Sequence, residues 1–272
     1  MNILVLNCGS SSVKYKLYEM ETHRRIAKGQ VERVGLLHGV MKHSAEGKDP
    51  VVLEEDFPDH MCAVQKIIDT LVHPEHGLFS SKEEIQGIGH RVVHGGENFQ
   101  ESVLVDENVI EGIKKCSGFA PLHNPANLTG IEACRKLLSG IPNVAVFDTA
   151  FHSKMPRKAY IYPIDYDYYK KLGVRRYGFH GTSHYYVSRR ASEILGLDRP
   201  AKIITVHLGN GSSITAVKEG WGVDTSMGFT PLEGLPMGTR SGDIDTAIVF
   251  YLMEHDGLNC DEVNGILQKK SG

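Results

Sequence analysis

Two stretches of small and polar residues each follow an apolar run, and both have the composition of a phosphate-binding turn. The first is NCGSSSVK at residues 7–14, and the second is TVHLGNGSSI at residues 205–214. Turns without bulky side chains let backbone N–H groups approach an anion, while hydroxyl groups add donors and lysine adds positive charge. A Ser-rich stretch can also be an ordinary hairpin turn, and the Walker pattern GxxxxGK[ST] is absent.

Five further clusters place polar side chains beside apolar strand or turn signals. They are GHRVVHGG (89–96), PLHNP (121–125), FDTAFH (147–152), YGFHGTSH (177–184) and GTRSGD (238–243). The first four each end a predicted strand or begin a predicted helix, which is where α/β folds place their ligands. The fifth holds an arginine between turn residues, from where it could reach a ligand.

The elements that position these clusters follow from periodicity and turn signals. Apolar patterns predict strands at 3–7, 13–20, about 26–34, 85–93 and 143–147, and helices at 60–72, 124–138 and 181–195. In the second helix Asn124 is the expected cap and Pro125 the first helical residue. The repeated hairpin plan predicts two lobes, 1–150 and 151–272, each beginning with a hairpin, with a boundary between about 150 and 200. If the two small-residue turns faced each other, they would make a phosphate-sized cleft.

Composition restricts the class of partner and the compartment. The 272 residues carry a formal net charge of -3, which favours a small-molecule partner over nucleic acid or an acidic membrane surface. Five cysteines form an odd set without a CxxC pair, so we expect a reducing compartment, the cytoplasm, and no disulfide framework or zinc ribbon. The apolar run at 247–253 is far shorter than the ~20 residues of a membrane span, and we expect no targeting segment.

Taken together, the motifs resemble those of the acetate and propionate kinase family, within the sugar kinase, Hsp70 and actin superfamily. NCGSSSVK, GHRVVHGG, PLHNPANL, FDTAFH, RYGFHGTSH, HLGNGSS and MGFTPLEGLPMGTRSGD occur in the family's order. Butyrate kinases carry Thr in the opening serine run, so GSSS favours the acetate and propionate branch. The resemblance implies an α/β fold with two actin-like (ribonuclease H-like) lobes, each with a five-stranded sheet and helices. It also implies ATP in a cleft, Mg²⁺ or Mn²⁺, and a homodimer.

The implied reaction transfers the γ-phosphoryl group of ATP to acetate, giving acetyl phosphate and ADP, and also runs in reverse. A carboxylic acid with a pKa of ~4 is already ionised at neutral pH, so this acceptor needs no general base. Charge spreads over the phosphoryl oxygens in the transition state. The site must therefore supply cations and neutral hydrogen-bond donors.

Five residues match the family's catalytic positions. Arg91 and Arg240 would hold the substrate and stabilise the transition state, since guanidinium groups bind carboxylate and phosphoryl oxygens bidentately. His180 would donate to the phosphoryl group in transfer, and His123 would line the site. Asp148 matches an acid/base residue, but because the acceptor is ionised we expect it to position an arginine or a Mg²⁺-bound water.

The remaining implied residues bind nucleotide, metal and the acyl group. Nucleotide contacts are expected from Ser10, Ser12, Lys14, His207, Leu208, Gly209, Asn210 and Gly211, and metal binding from Asn7. Val93, Leu122, Phe179 and Pro231 match the apolar pocket for the acyl methyl group, although each alone would be an ordinary core residue. The i, i+4 pair His180 and His184 has a zinc spacing, but no third ligand follows at a recognisable interval.

Several alternatives stay open on the sequence. A propionate kinase or another short-chain acyl kinase fits as well, because one methylene contributes only ~1–3 kcal/mol of discrimination. A sugar kinase would need an Asp base for a hydroxyl acceptor. A nucleotide-binding switch of the Hsp70 type would have no use for two arginines and an apolar pocket. Because the family's chains continue beyond position 272, we expect an incomplete second lobe, weak ATP binding and little turnover from residues 1–272 alone.

Overall fold

A computed structural model of the chain describes residues 1–121, 123–197 and 201–272. It divides into two compact units, Met1–Phe147 (unit 1) and Asp148–Gly272 (unit 2). Both units mix helices and strands, as the sequence predicted. The functional division into a first-hairpin lobe and a second-loop lobe stays a prediction. In the described part of the chain, no helix is both long and apolar enough to span a bilayer.

Unit 1 is built on one large sheet. Its elements are β1 (Asn2–Gly9), β2 (Ser12–Glu19), β3 (Arg24–Glu32), β4 (Val40–Ala45), β5 (Val51–Glu54), α1 (His60–Leu71), β6 (Gly87–Val92), β7 (Val103–Leu104), α2 (Glu107–Lys115), α3 (Asn124–Leu137) and β8 (Asn143–Phe147). Among the described residues the strand order is β5-β4-β3-β2-β1-β6-β8-β7, with β1, β6 and β8 parallel and the other pairs antiparallel.

The sheet is wider than the five strands that the resemblance implied, so that prediction was wrong for unit 1. Strands β4 and β5 extend the opening meander at one edge, and the two-residue β7 adds to the other. The alternating burial of residues 40–45 shows why β4 forms: Met41 and Ala45 enter the core while Lys42 faces solvent. The predicted strands and helices of unit 1 are otherwise confirmed.

One face of this sheet carries the core of unit 1. Leu4, Leu6 and Cys8 alternate along β1 and are buried together with side chains of α1 and α3. The intervening residues of β1 point to the opposite face, because side chains alternate along a strand. That opposite face carries the polar residues of the first hairpin.

Unit 2 contains a smaller sheet and more helices. Its elements are α4 (Arg157–Tyr160), α5 (Tyr166–Leu172), α6 (Gly181–Ile194), β9 (Ile203–Leu208), β10 (Ser212–Lys218), β11 (Trp221–Thr225), α7 (Ala247–His255) and α8 (Cys260–Lys269). The described strands form a sheet of order β11-β10-β9, and α6 packs on β9. The second hairpin is confirmed, with Leu208 paired to Ser212. It does not begin its unit, however, since α4, α5 and α6 precede it.

The start of α3 differs from the sequence prediction. His123 is the N-cap residue and makes no side-chain capping bond, while Asn124 is already helical. The Asn124 side chain accepts a hydrogen bond from His94 N at 3.0 Å and donates one to His94 O at 2.9 Å. A tertiary bond to the segment after β6 therefore replaces the local capping bond that the sequence favoured.

Candidate active site

The first hairpin presents its turn to solvent with few obstructing side chains. Gly9 pairs with Ser12, which leaves Ser10 and Ser11 as the exposed turn residues. The ring of His60 on α1 donates from Nε2 to Gly9 O at 2.6 Å, so the turn is tied to the helix below it. The exposed hydroxyl groups of Ser10 and Ser11 could donate to an anion, and the binding of phosphate by this turn stays a prediction.

Asn7, Lys14 and Arg91 lie on one face of the unit 1 sheet. Asn7 and Lys14 are cross-strand partners in the β1–β2 ladder, so their side chains share a face. Arg91 lies on the neighbouring parallel strand β6 and donates from Nη1 to Asn7 Oδ1 at 3.2 Å. All three line a cavity of about 780 Å³ on this face. The structure therefore brings two cations and one amide together beside the serine turn.

Two asparagines of α3 bond to chain segments next to this set, and these bonds were not predicted from the sequence. Asn127 donates to Cys8 O at 2.6 Å, and its Oδ1 accepts from Val93 N at 3.0 Å. It thereby joins the end of β1 to the residue after β6. Asn124 holds His94 in the same way. The signal was the i, i+3 spacing of two amides in NPAN on the side of a helix that must face the sheet.

The positions of the other predicted residues of unit 1 do not test the roles expected of them. Val93 is buried, as a core residue would also be. His123 is half-buried at the start of α3. Leu122 lies outside the described residues.

In unit 2, Asp148 and His180 meet the start of α6. Asp148 follows β8 and is buried, and its carbonyl oxygen accepts from Gly181 N at 2.9 Å. A Cβ at Gly181 would collide with that oxygen, which explains the glycine. His180 precedes it in the left-handed region with φ +57°, a conformation that costs a non-glycine residue energy and often marks a functional position.

Four histidines of unit 2 form a connected group. The ring of His180 stacks on that of His207 with centroids 4.0 Å apart. His180 Nδ1 lies 2.9 Å from Ser213 Oγ, and His207 Nδ1 lies 2.9 Å from Ser183 Oγ. His184 lies beneath them, between Ser213 and Thr205, and its ring is 5.9 Å from that of His152.

The deepest of these rings are neutral at physiological pH. Burial lowers the pKa of His184 to about 3, helped by the nearby rings of His152, His180 and His207. Burial also lowers the pKa of His152 to about 4, against the opposing effects of its bond to Phe179 O and of the Asp148 charge. Desolvation penalises an imidazolium, so neither ring carries charge in the folded protein.

The zinc spacing of His180 and His184 does not produce a metal site. Both ring nitrogens of His184 are within hydrogen-bond distance of hydroxyl groups, which leaves no nitrogen for a metal. Among the described residues, a group of three candidate ligand side chains occurs elsewhere, at His73, Glu75 and His76 in the exposed loop after α1. There Nδ1 of His73 accepts from Glu75 N at 3.2 Å.

The second small-residue turn lies beside His180 and Arg240. Its backbone is closed by a bond from Gly209 N to Gly211 O at 3.1 Å, and Gly238 N donates to Asn210 O at 3.1 Å. An ideal Cβ on Gly211 would lie 3.3 Å from His180 Nε2 and 3.4 Å from Arg240 Nη1. Glycine at this position thus lets the imidazole and the guanidinium approach the turn backbone. Leu208, also predicted to bind nucleotide, is 76% exposed.

Arg240 is positioned by the loop that precedes it. Its Nη1 donates to Pro231 O at 3.1 Å, and burial lowers its pKa. The same loop is anchored by Arg176, whose guanidinium pairs with Glu233 at 2.5 Å and donates to Thr225 O at 2.8 Å. Guanidinium groups stay protonated in proteins, so Arg240 remains a cation despite its partial burial.

The structure therefore gathers the predicted residues into two sets. In unit 1 the set is Asn7, Ser10, Ser12, Lys14 and Arg91. In unit 2 it is His180, His207, Asn210, Gly211 and Arg240, with Asp148 at the start of the same helix, Pro231 against Arg240, and Phe179 buried beside His152. Ser213 and Thr205 join the second set although sequence reasoning gave them no role.

Comparison with known proteins gives one consistent result. The Acetokinase family profile matches residues 2–272. An acetate kinase from Caldanaerobacter subterraneus subsp. tengcongensis is 58% identical over 275 residues, covering all of this chain and 68% of that protein. The chain thus spans about two thirds of the length of that relative.

Solved structures agree with the sequence comparison. The crystal structure of Porphyromonas gingivalis acetate kinase superimposes with a TM-score of 0.95 at 52% identity, covering all of this chain and 68% of that one. A propionate kinase from Francisella tularensis subsp. tularensis gives a TM-score of 0.93 at 45% identity with the same coverage.

Proposed function

This chain belongs to the Acetokinase family, and from that membership we propose that it phosphorylates acetate with ATP, giving acetyl phosphate and ADP, and catalyses the reverse reaction. It is a phosphotransferase with a carboxyl group as acceptor. The observation that carries this conclusion is the 58% identity over the whole chain to an acetate kinase. The family and enzyme class that the motifs predicted are confirmed.

The first set of residues suits the binding of anions. Arg91 offers a guanidinium fork for a carboxylate or phosphoryl group, and Lys14 adds a compact charge beside the serine turn. Arg91 donates to Asn7 Oδ1, and this bond orients its guanidinium beside Lys14. We propose that this set binds the acetate carboxylate and phosphate oxygens, with Ser10 and Ser12 as added donors.

The second set suits the stabilisation of charge in the transition state. We propose that Arg240 and His180 donate to the phosphoryl oxygens, and that residues 207–211 contact the nucleotide phosphates. Both side chains adjoin Gly211, so their donors are already ordered around one point of the turn. Preordered donors stabilise developing charge without reorganisation during the reaction. Asp148 fits a positioning role, since the acceptor is ionised and needs no base.

The residues described in unit 1 suit a metal ion that binds together with the nucleotide. Asn7 offers one amide oxygen, a ligand that Mg²⁺ or Mn²⁺ accepts. The same oxygen accepts a bond from Arg91, whose positive charge opposes a bare cation there. Residues of this kind would hold a metal ion that is already bound to the ATP phosphates, and not a metal ion coordinated by protein ligands alone. Such an ion would neutralise phosphate charge during transfer.

The acyl group is the least determined feature of the substrate. Val93 in unit 1 and Phe179 in unit 2 are buried apolar side chains and Pro231 is half-buried, which would suit contact with an acyl group and equally an ordinary core position. The 45% identity to a propionate kinase makes propionate the second candidate. A one-methylene difference gives modest discrimination, so both acids can be turned over at different kcat/KM values.

An acyl-phosphate assay tests this function. The protein extended to the full length of its relatives, MgATP and hydroxylamine are incubated with acetate, propionate or butyrate, and acyl hydroxamate and ADP are measured together. We expect acetate to give the highest kcat/KM. ADP formation with glycerol or a hexose, but no hydroxamate with any acid, would instead identify a sugar kinase.

We further propose a cytoplasmic homodimer. The free cysteines support a reducing compartment, and the dimer is what the family resemblance implies. Sedimentation equilibrium would test the assembly, with an expected mass about twice the 30.1 kDa of the chain. A mass of one chain across the micromolar range would refute the dimer.

A further inference from the structure

A buried chain of hydrogen bonds leads from His180 into the interior of unit 2. From His180 Nδ1 the contacts run to Ser213 Oγ at 2.9 Å, from that oxygen to His184 Nε2 at 2.7 Å, and from His184 Nδ1 to Thr205 Oγ1 at 2.8 Å. Ser213, His184 and Thr205 are all at most 3% exposed. We propose that Ser213 and His184 are positioning residues that decide which nitrogen of His180 carries its proton.

The Ser213 hydroxyl carries a single proton. That oxygen contacts two imidazole nitrogens, and it can donate to only one of them. The other nitrogen must then donate to it, because two facing lone pairs, or two facing hydrogens, would leave a buried polar contact unmade. The proton positions of His180 and His184 are therefore coupled through Ser213.

Two arrangements satisfy this rule when both rings are neutral. In the first, His184 carries its proton on Nε2 and donates to Ser213, which donates to His180 Nδ1, so His180 carries its own proton on Nε2. In the second, every bond is reversed, and both rings are protonated on Nδ1. Neutral His180 and His184 must accordingly carry their protons on the same nitrogen, Nε2 or Nδ1 in both rings.

Thr205 closes the buried end of the chain in either arrangement. Its hydroxyl donates to His184 Nδ1 in the first, and in the second it accepts from that nitrogen and turns its proton to Thr215 O, 3.4 Å away. Because 3.4 Å is beyond the usual range of 2.5–3.0 Å for a hydroxyl donor, this added bond is weak. The chain can therefore adopt both directions at small cost.

The consequence for catalysis rests on the proposed function. The Nε2 edge of His180 faces the turn at Gly211, where an ideal Cβ would be 3.3 Å from that nitrogen. Phosphoryl oxygens only accept hydrogen bonds, so His180 must present an N–H there. The first arrangement supplies it from a neutral ring. The second leaves a lone pair towards the anion unless His180 is protonated, in which case both ring nitrogens donate.

With the first arrangement in the neutral state, the chain keeps a donor on Nε2 in both charge states of His180. When the ring is neutral the bonds run outward from Thr205, and when it is cationic they run inward from His180. His184 then changes its tautomer without titrating, since its own pKa lies at about 3. Among the described residues, the titratable and charged groups near His180 include His184 on its own helix, His207 on β9, Arg240, Asp148 and, behind His184, His152.

Nitrogen-15 NMR of histidine-labelled protein tests the coupling without relying on turnover. Long-range ¹H–¹⁵N spectra report which nitrogen of each neutral ring is protonated, and His180→Gln and His184→Gln samples assign the signals. We expect the two neutral rings to show the same tautomer above pH 8. On lowering the pH, His184 should switch to the Nδ1–H form as His180 gains its proton. Opposite tautomers in the two neutral rings would overturn the inference.

Ser213→Ala provides the second arm, with Thr215→Val as its matched control. Both residues are fully buried on the same face of β10, but the Thr215 hydroxyl contacts Thr225 instead of a histidine. In Ser213→Ala we expect the His184 tautomer to stop responding to His180, and kcat to fall about tenfold or more while KM changes less than about threefold. Thr215→Val should keep the tautomer response and kcat.

The results separate this inference from the proposed function. Equal losses of kcat in Ser213→Ala and Thr215→Val would assign Ser213 a structural role only and overturn the inference. Matched tautomers in a protein that forms no acyl phosphate would overturn the proposed function and support the coupling. Opposite tautomers in a protein that forms acyl phosphate would support the proposed function and overturn the coupling.

Discussion

Arg240 in unit 2 shows how partial burial can hold a cation in one orientation. Arg240 is half-buried, and one of its N–H groups is held by Pro231 O. This bond, together with a contact between Nη1 and Met237 Sδ at 3.7 Å, fixes the planar group beside Gly211. A lysine could supply the charge but not the fixed fork of donors. The geometry of the guanidinium, and not charge alone, is therefore the property that we expect activity to require.

Replacement of Arg240 tests this expectation. Arg240→Ala should lower kcat about 10²-fold to 10³-fold, the usual effect of losing one preordered donor to transition-state charge. Arg240→Lys should recover only part of the loss. Kinetics with acetate and MgATP would measure both. Arg190→Ala removes an exposed guanidinium on α6 that pairs with Glu193, and it should retain full activity. Wild-type rates in Arg240→Ala would remove this residue from the site.

Thiol reactivity offers a second test at the residue scale. Burial raises the pKa of Cys8 to about 12 and of Cys116 to about 11, and it also raises that of the buried Cys134. Cys62 and Cys260 are exposed. Because the thiolate is the reactive form, we expect two thiols to react with Ellman's reagent in the native protein and five after denaturation. A third fast thiol in the native state would contradict the burial of these side chains.

At the scale of elements, the contact of α3 with β1 positions the first set of residues. Gly130 faces Cys8 so closely that a Cβ would collide with the sulfur. This close approach brings Asn127, three residues earlier on the helix, within 2.6 Å of Cys8 O. The glycine therefore lets one helix clamp the end of β1 to the residue that follows β6. Glycine is needed at this position for the short packing distance. Its backbone is helical and would accept other residues.

A pair of helical glycines tests this contact. Gly130→Ala should lower the free energy of unfolding by about 1–3 kcal/mol, because overpacking displaces α3. Gly265→Ala on α8 meets nothing within 4 Å and should be neutral or raise stability by up to about 1 kcal/mol, from helix propensity. Urea unfolding measures both. If Gly130→Ala were as stable as Gly265→Ala, the close contact would not exist in solution.

Across the whole molecule, buried neutral histidines make stability depend on pH. Burial lowers the pKa of His90, His94 and His152 to about 4 and that of His184 to about 3, against 6.5 for an unperturbed ring. Above about pH 6.5 the rings are neutral in both states. Between about pH 6.5 and pH 4 the unfolded chain binds protons that the folded protein does not. The free energy of unfolding therefore decreases as the pH is lowered through this range.

Urea unfolding at pH 7, 6, 5 and 4.5 measures this dependence. We expect a progressive loss of stability below about pH 6.5, with a shallower slope in His90→Gln, which lacks one buried ring. His23→Asn is the control, because His23 is exposed and Asn tolerates its φ of +53°. A flat profile from pH 7 to 5 would show that the rings are not kept neutral by the fold.

The sequence predicted most elements but not the bonds between them. Strands at 3–7 and 143–147 and the two hairpins follow from apolar alternation and small-residue turns, and all four were found. β4, β5, β7, β11, α2, α4, α5 and α7 were not anticipated. β5 is a short edge strand without a buried residue, so its sequence carries no strong period. The Asn124 side chain makes tertiary hydrogen bonds with His94 instead of the predicted local capping bond. No local sequence pattern reveals that partner.

The amino-acid sequence by itself determined the family, the class of reaction and the turns that suit phosphate. Those properties depend on residue type and short spacing, such as the small residues of 9–12 and 209–213 or the arginines beside glycines. Only the tertiary structure decided that Ser213 joins His180 to His184, and that Asn127 joins the ends of two strands. Such bonds link residues far apart in the chain, so their partners are defined by packing and not by neighbouring sequence.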